Sequence, residues 1–238
     1  VPRFEQALAA RVGAQHGVAV SNATAGLHIA CLALDLGPGD RLWTSPNTFV
    51  ASANCARYCG ADIDFVDVEP DSGNMAVDKL RQKLEAARSS DSLPQLVIPV
   101  HLAGSSCDMQ QIHYLAKEFG FAIIEDASHA VGASYHDEPV GNCRYSDITV
   151  FSFHPVKIIT TGEGGMLVTR DPELAKRARV MRLHGINRDA FDRFTAKVPS
   201  WYYEIVAPGF KYNLTDIAAA LGLHQLQRID GFQRQREH

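Results

Sequence analysis

The sequence predicts an α/β domain: a mainly parallel central sheet with helices on both faces. Two patterns point there. Short apolar runs alternate with stretches of helical periodicity along the whole chain, and that alternation builds parallel sheets through helical crossovers. The runs themselves, such as Leu96 to Val100 and Ile148 to Phe153, are apolar at consecutive positions rather than at every second one. Strands covered on both faces have that composition.

Taken in order, Val1 to Gln15 has helical spacing and Val18 to Val20 is a short strand. Ser21-Asn-Ala-Thr-Ala-Gly26 then opens a helix that continues through Leu27 to Leu36. Small and polar residues at a strand-to-helix junction suit either a plain helix cap or an anion, because the first helical amides have no partner and the helix dipole favours negative charge. Gly37 to Asp40 is a turn, Arg41 to Thr44 a strand, and Ala51 to Tyr58 a helix. Phe49 precedes that helix, where it either stacks on a ligand or packs in the core. Ile63 to Val66 reads as a strand, Met75 to Arg88 as a helix, Ser89 to Pro94 as a surface loop and Leu96 to Val100 as a strand. His101 to Gly104 is a loop, Met109 to Phe119 a helix, and Phe121 to Ile124 a strand ending in Glu125-Asp126.

The chemistry centres on Phe151 to Gly165. The strand from Ile148 runs into a single lysine, Lys157, flanked by Pro155, Val156, Ile158 and Ile159, and a glycine-rich turn at Gly162, Gly164 and Gly165 returns into Met166 to Thr169. A lysine off a strand end is usually a solvated charge. Here no other charge occurs until Glu163, and an apolar setting disfavours the ammonium form. A neutral amine attacks carbonyls, so this lysine is a candidate anchor for pyridoxal phosphate. Asp126 is then the candidate partner of the pyridinium nitrogen, or else a cap for the turn that follows it. His129 is a candidate ligand neighbour or a core histidine. Beyond the hairpin, Glu173 to Leu183 reads as a helix whose Lys176, Arg177, Arg179 and Arg182 form a solvated face. Asp189 to Gly209 reads as a long loop, and Thr215 caps a helix from Asp216 to Ile229.

Composition excludes other classes. The chain has 238 residues, 46% hydrophobic and 21% charged, enough for one large core. Its 23 basic and 27 acidic residues give a net charge of −4, which is no electrostatic footprint for nucleic acid or an anionic membrane. No apolar run reaches the roughly 18 residues of a membrane span. Cys31, Cys55, Cys59, Cys107 and Cys143 lack metal-ligand spacing, and scattered thiols fit a reducing cytoplasm. The opening helix is already in progress at Phe4, and Arg234 to His238 closes on a charged helical stretch without a stop signal. Both ends therefore read as internal to a longer chain.

Many segments, in order, resemble the DegT/StrS-type sugar aminotransferases. They are Ser21 to His28, Pro46 to Ala51, Pro99 to Gly104, Glu125 to Ala130, Phe151 to Lys157, Thr161 to Gly165, His184-Gly185, Lys211 to Asp216 and Ala220 to Leu226. The resemblance implies the pyridoxal-phosphate transferase fold of type I, with residues 1–238 as its large domain and the small C-terminal domain nearly all absent. It implies Lys157 as the Schiff-base lysine and proton carrier, Asp126 as the pyridinium partner, Phe49 stacked on the ring, and His129 near the ring hydroxyl. It also implies Thr24, Ala25 and Ser152 as phosphate contacts, with Lys211 reaching the phosphate of a neighbouring subunit in a homodimer. Most members read Asn-aromatic-Arg where this chain has Lys211-Tyr-Asn213. That variant resembles the branch making 4-amino-4-deoxy-arabinose.

The implied function is transamination of a nucleotide-linked 4-keto sugar, with glutamate as donor, in surface polysaccharide biosynthesis. Two alternatives are a 3-keto-sugar aminotransferase and a non-catalytic fragment that binds the cofactor. Related dehydratases carry histidine at the position of Lys157, which speaks against that chemistry.

Overall fold

The structure, a computed structural model, describes residues 1–90, 92–187 and 203–236. Its main sheet has seven strands. In spatial order they are β1 (His16–Val20), β9 (Gly165–Thr169), β8 (Ile148–Ser152), β5 (Ala122–Asp126), β4 (Leu96–Ile98), β2 (Arg41–Thr44) and β3 (Asp62–Phe65). β9 runs antiparallel to both its neighbours, and the other pairs are parallel. The antiparallel return follows from the glycine-rich turn, which leads the chain straight back along β8. The expected mainly parallel sheet is therefore the observed one.

Strand residues alternate between two cores, as a period of two requires. Leu42, Ile98, Ile124, Val150 and Leu167 face one side. There they meet α2 (Ala23–Ala33), α3 (Ala51–Tyr58) and α6 (Pro172–Met181). Phe151 and Met166 face the other side, against α1 (Pro2–Val12), α7 (Asp216–Gln227) and the start of α8 (Ile229–Arg236). Trp43, Val97 and Ile123 share that side farther along, under α4 (Val77–Ser89) and α5 (Met109–Phe119). Gly222 of α7 is required by contact: a Cβ there would lie 2.5 Å from the buried Phe4 ring. A mid-helix glycine costs about 1 kcal/mol relative to alanine, and the close seat on α1 is what it permits.

Several expectations shift. Met75 is not helical; it bridges to Val68, and α4 begins at Val77. β3 is an edge strand with Asp62 and Phe65 exposed rather than an apolar buried one, and its charges discourage edge-to-edge pairing. A two-stranded hairpin, β6 (Ser134–Tyr135) and β7 (Glu138–Pro139), was not legible. Its turn residues, His136 and Asp137, both adopt positive φ without the glycine or asparagine that signals such turns. The predicted loop from Asp189 lies mostly in residues 188–202, outside the described ones; of its far end, Ile205 bridges to Ile186.

The basic stretch of α6 is only partly a solvated face: Lys176 is exposed, but the three arginines are engaged. Arg177 pairs with Asp35, and Arg179 donates to the Gly17 carbonyl at 3.3 Å. Arg182 is buried and pairs with buried Glu5 of α1. The same two side chains close the free edge of β1: Glu5 Oε1 accepts the Ala19 N–H at 2.8 Å, and Arg182 donates to the Ala19 carbonyl at 2.8 Å. The edge strand is thus closed partly by side chains and partly by main chain, where Val20 bridges to Asn213 and the Ser21 amide donates to the Tyr212 carbonyl at 2.7 Å.

Glu5→Ala should lower stability by about 3–5 kcal/mol, because it removes the buried carboxylate paired with Arg182 and the acceptor of the Ala19 amide. Arg177→Ala, which breaks a largely exposed pair, should cost about 1 kcal/mol or less. Urea titrations at constant slope compare the two, and equal losses would refute the pinning role of Glu5.

Candidate active site

The C-terminal ends of β1, β2, β4, β5 and β8 lie along one edge of the sheet, where open α/β sheets bind ligands. A cavity of about 540 Å³ opens there. It is lined by Asn22 and Thr24 at the start of α2, Phe49 before α3, Leu102 after β4, Asp126, Ser128 and His129 after β5, and Ser152 and Lys157 after β8. Its volume is in the range of small-molecule sites.

One wall is the N-terminus of α2. Asn22, in extended conformation, caps the helix by accepting the Ala25 N–H at 2.8 Å. Gly165 lies beneath, paired with Val20 of β1 on one side and Ser152 of β8 on the other. A Cβ on Gly165 would sit 2.6 Å from the Ala23 nitrogen and 2.6 Å from the Asn22 carbonyl carbon. Only a residue without a side chain lets the sheet and the helix start come this close. Thr24 and the buried Ser152 add hydroxyls at the same end.

The opposite wall carries the charges. Asp126 closes β5, and its backbone is clamped on both sides: its N–H donates to the Pro99 carbonyl, its carbonyl accepts from His101, and the next amide donates to Val150. The side chain is only 4% exposed. Lys157 comes from the neighbouring strand, in a loop closed at its base by Phe153, which donates to Gly164 and accepts from Thr161. Phe153 is itself fully buried against Phe4. Burial pushes the Lys157 amine below the ordinary lysine range, and the Asp126 carboxylate partly opposes this. His129 is also pushed down, first by burial and then by the Lys157 charge. The Ala103 amide donates to His129 Nδ1 at 3.3 Å, which leaves the proton of a neutral ring on Nε2.

Of the residues singled out from sequence, Thr24, Phe49, Asp126, His129, Ser152 and Lys157 meet around this cavity. Two do not. Ala25 is buried inside the first turn of α2 with its N–H committed to Asn22, so it offers no free amide. Lys211 is exposed and bridges to Leu183, away from this chain's own cavity. Phe49 reaches the mouth with its ring 73% exposed. Asn22, Thr48, Ser128, His154 and Glu163 also line the cavity. Of these, Asn22 was the most accessible to sequence reasoning, as an asparagine directly before an apolar helix.

This set of groups fits pyridoxal phosphate. A helix start with hydroxyls suits the phosphate, a buried carboxylate suits a protonated ring nitrogen, and an amine of lowered pKa suits an aldehyde. Among the described residues, no cluster could hold a metal ion, and no helix is long and apolar enough to cross a membrane.

The chain is similar to several known proteins. The spore coat polysaccharide biosynthesis protein SpsC of Bacillus subtilis is 45% identical over 237 residues, which is 100% of this chain and 59% of SpsC. A UDP-4-amino-4-deoxy-L-arabinose–oxoglutarate aminotransferase of Shewanella sediminis is 41% identical over 228 residues, or 95% of this chain and 56% of that protein. The structure of Spr1654 from Streptococcus pneumoniae in its PMP form superposes with a TM-score of 0.85 at 31% identity, over 99% of this chain and 62% of that one. The chain thus spans about three-fifths of the length of these proteins. Residues 1–238 match one family of pyridoxal-phosphate-dependent enzymes from end to end, and the chain belongs to it: the DegT/DnrJ/EryC1/StrS aminotransferase family.

Proposed function

We propose that these residues form the cofactor-binding domain of a sugar aminotransferase that acts on a nucleotide-linked 4-keto sugar, with glutamate as the amino donor. The observation that carries the reading is that Asp126, at the end of β5, and Lys157, in the loop after the adjacent β8, line one cavity together with the N-terminus of α2. The 4-keto substrate and glutamate are supported by the likeness to the Shewanella enzyme, whose name pairs a 4-amino sugar with oxoglutarate. The role in surface polysaccharide synthesis is supported by the likeness to SpsC. A cytoplasmic location fits a nucleotide-linked substrate.

Bound pyridoxal phosphate supplies an electron sink for the carbanion chemistry. The residues around the cavity would hold and orient it. Asp126 holds a positive charge at the ring nitrogen. The start of α2, with Thr24 and Ser152, anchors the phosphate. Lys157, neutral at lower pH than an ordinary lysine, would hold the cofactor through its aldehyde carbon and move a proton at its Nζ. His129 offers Nε2–H as a donor. Phe49 covers the ring from the mouth.

We also infer a homodimer in which Lys211 of one subunit reaches the phosphate held by the other. Lys211 is exposed and outside its own cavity. Phe49, Val156 and Ile217 leave large apolar surfaces in water, which favours a covering partner.

Lys157→Ala should abolish amino transfer and the borohydride-trapped link between protein and pyridoxal phosphate; turnover at the wild-type rate would refute the assignment. The pH dependence of that capture has a definite sign. Capture falls as pH drops through the Lys157 pKa, because only the neutral amine attacks. Asp126→Asn removes the charge that holds this pKa up, so the falling limb should move to lower pH. An unmoved or upward-shifted limb would show that the two groups do not interact. Sedimentation should give a dimer, and a fully active monomer would exclude the shared site.

A further inference from the structure

Asp126 is not held by its own strand alone. Ser52, fully buried in the first turn of α3, donates to Asp126 Oδ2 at 2.6 Å. The Ser128 amide donates to Oδ1 at 3.0 Å. An ionised carboxylate is an acceptor only, so the Ser52 hydroxyl proton is committed to Asp126. Ser52 Oγ also lies 2.9 Å from Thr48 Oγ1. With its own proton spent, Ser52 must accept there and Thr48 must donate. The chain of hydroxyls is therefore polarised in one direction, from Thr48 through Ser52 to Asp126. The short final bond is of the charge-assisted kind.

This chain links parts of the site that the sheet alone does not join. Thr48 lines the cavity and directly precedes Phe49. Ser52 lies one turn on, in α3, at the end of β2's connection, while Asp126 ends β5, two strands away across β4. Both carboxylate oxygens are fixed from behind, so the plane of the carboxylate is set before any ligand arrives. Each oxygen keeps a further lone pair for the cavity.

We propose that Ser52 is the positioning residue for the cofactor's ring nitrogen: acting through Asp126, and itself oriented by Thr48, it aims the carboxylate at the nitrogen and ties the Phe49 strap to the same point. This rests on the reading of the cavity as a pyridoxal phosphate site. Ser52 touches no ligand in this scheme; its effect is the pre-organisation of a charge that does. A merely structural clamp between α3 and β5 would also use a buried serine, and the two roles differ in what they respond to.

The test uses the full chain and two probes: pyridoxal phosphate, and its analogue with carbon in place of the ring nitrogen. Equilibrium dialysis gives the affinity of each for the wild type, Ser52→Ala, Ser52→Thr and Thr48→Val, with urea midpoints of the unliganded proteins alongside. Ser52→Ala should bind pyridoxal phosphate about tenfold more weakly, the effect of one hydrogen bond to a charged group. It should bind the carbon analogue as the wild type does. Ser52→Thr, which restores the hydroxyl, should recover affinity to within about twofold. Thr48→Val should lose less, in the same direction, and it decides the matter if Ser52→Ala does not fold. Equal loss for both probes, or no loss for either, would overturn the proposal. A wild type that binds neither probe would remove the cofactor reading itself, and the role of Ser52 with it.

Discussion

Asp126 ends β5 and Lys157 sits in the loop that follows the neighbouring β8, where the Asp126 carboxylate acts on the Lys157 charge. Lys157 is half-buried, so its ammonium form is disfavoured, and the carboxylate beside it returns part of what burial removes. A free surface lysine would be protonated and inert toward an aldehyde. A fully buried one without a carboxylate would lose the charge needed to hold and release a proton. The site depends on this intermediate state, and much of the fold around it serves to keep both groups in place. Asp126 is fixed through its backbone by β4 and β8 and through its side chain by Ser52 and Ser128. Lys157 rides on a loop anchored by the buried Phe153.

The far side of the cavity has a different requirement, which is space. The start of α2 can lie over the sheet only because Gly165 has no side chain. β9 brings that glycine between Val20 and Ser152, so the one antiparallel neighbour of β8 is also the floor beneath the helix N-terminus. The anion end and the amine end of the site are thus joined through a single hairpin, β8 to β9, with Lys157 in its loop. Stability enters at the sheet's outer edge, where Glu5 and Arg182 occupy the polar groups of β1. Displacing β1 would move the start of α2 and that wall of the cavity with it.

The strands and most helices were legible because apolar runs and helical periods alternate with little interruption. Lys157 stood out because it is the one charge in an apolar stretch, and Asp126 because it follows Phe-Ala-Ile-Ile and Glu125. What was not legible depends on distance in the sequence or on unusual turns. The burial of Arg182 follows from Glu5, 177 positions away, so a basic helix looked like a solvated one. The β6–β7 hairpin turns on His136 and Asp137, where no glycine accompanies the aspartate to mark the turn. Ser52 carries no signal in the sequence; only the fold sets it against Asp126. Ala25 matched a motif but spends its amide on the cap. The aspect of Phe49 that sequence does not carry is its exposure at the mouth.

The central claim is that one pyridine ring lies between Lys157 and Asp126 with its phosphate on the start of α2. A crystal structure of the protein soaked in pyridoxal phosphate tests it most directly. The account predicts density continuous with Lys157 Nζ, the ring nitrogen within hydrogen-bond distance of Asp126, and the phosphate beside Thr24 and Ser152. A cofactor bound elsewhere, or bound here with its ring nitrogen turned away from Asp126, would contradict it.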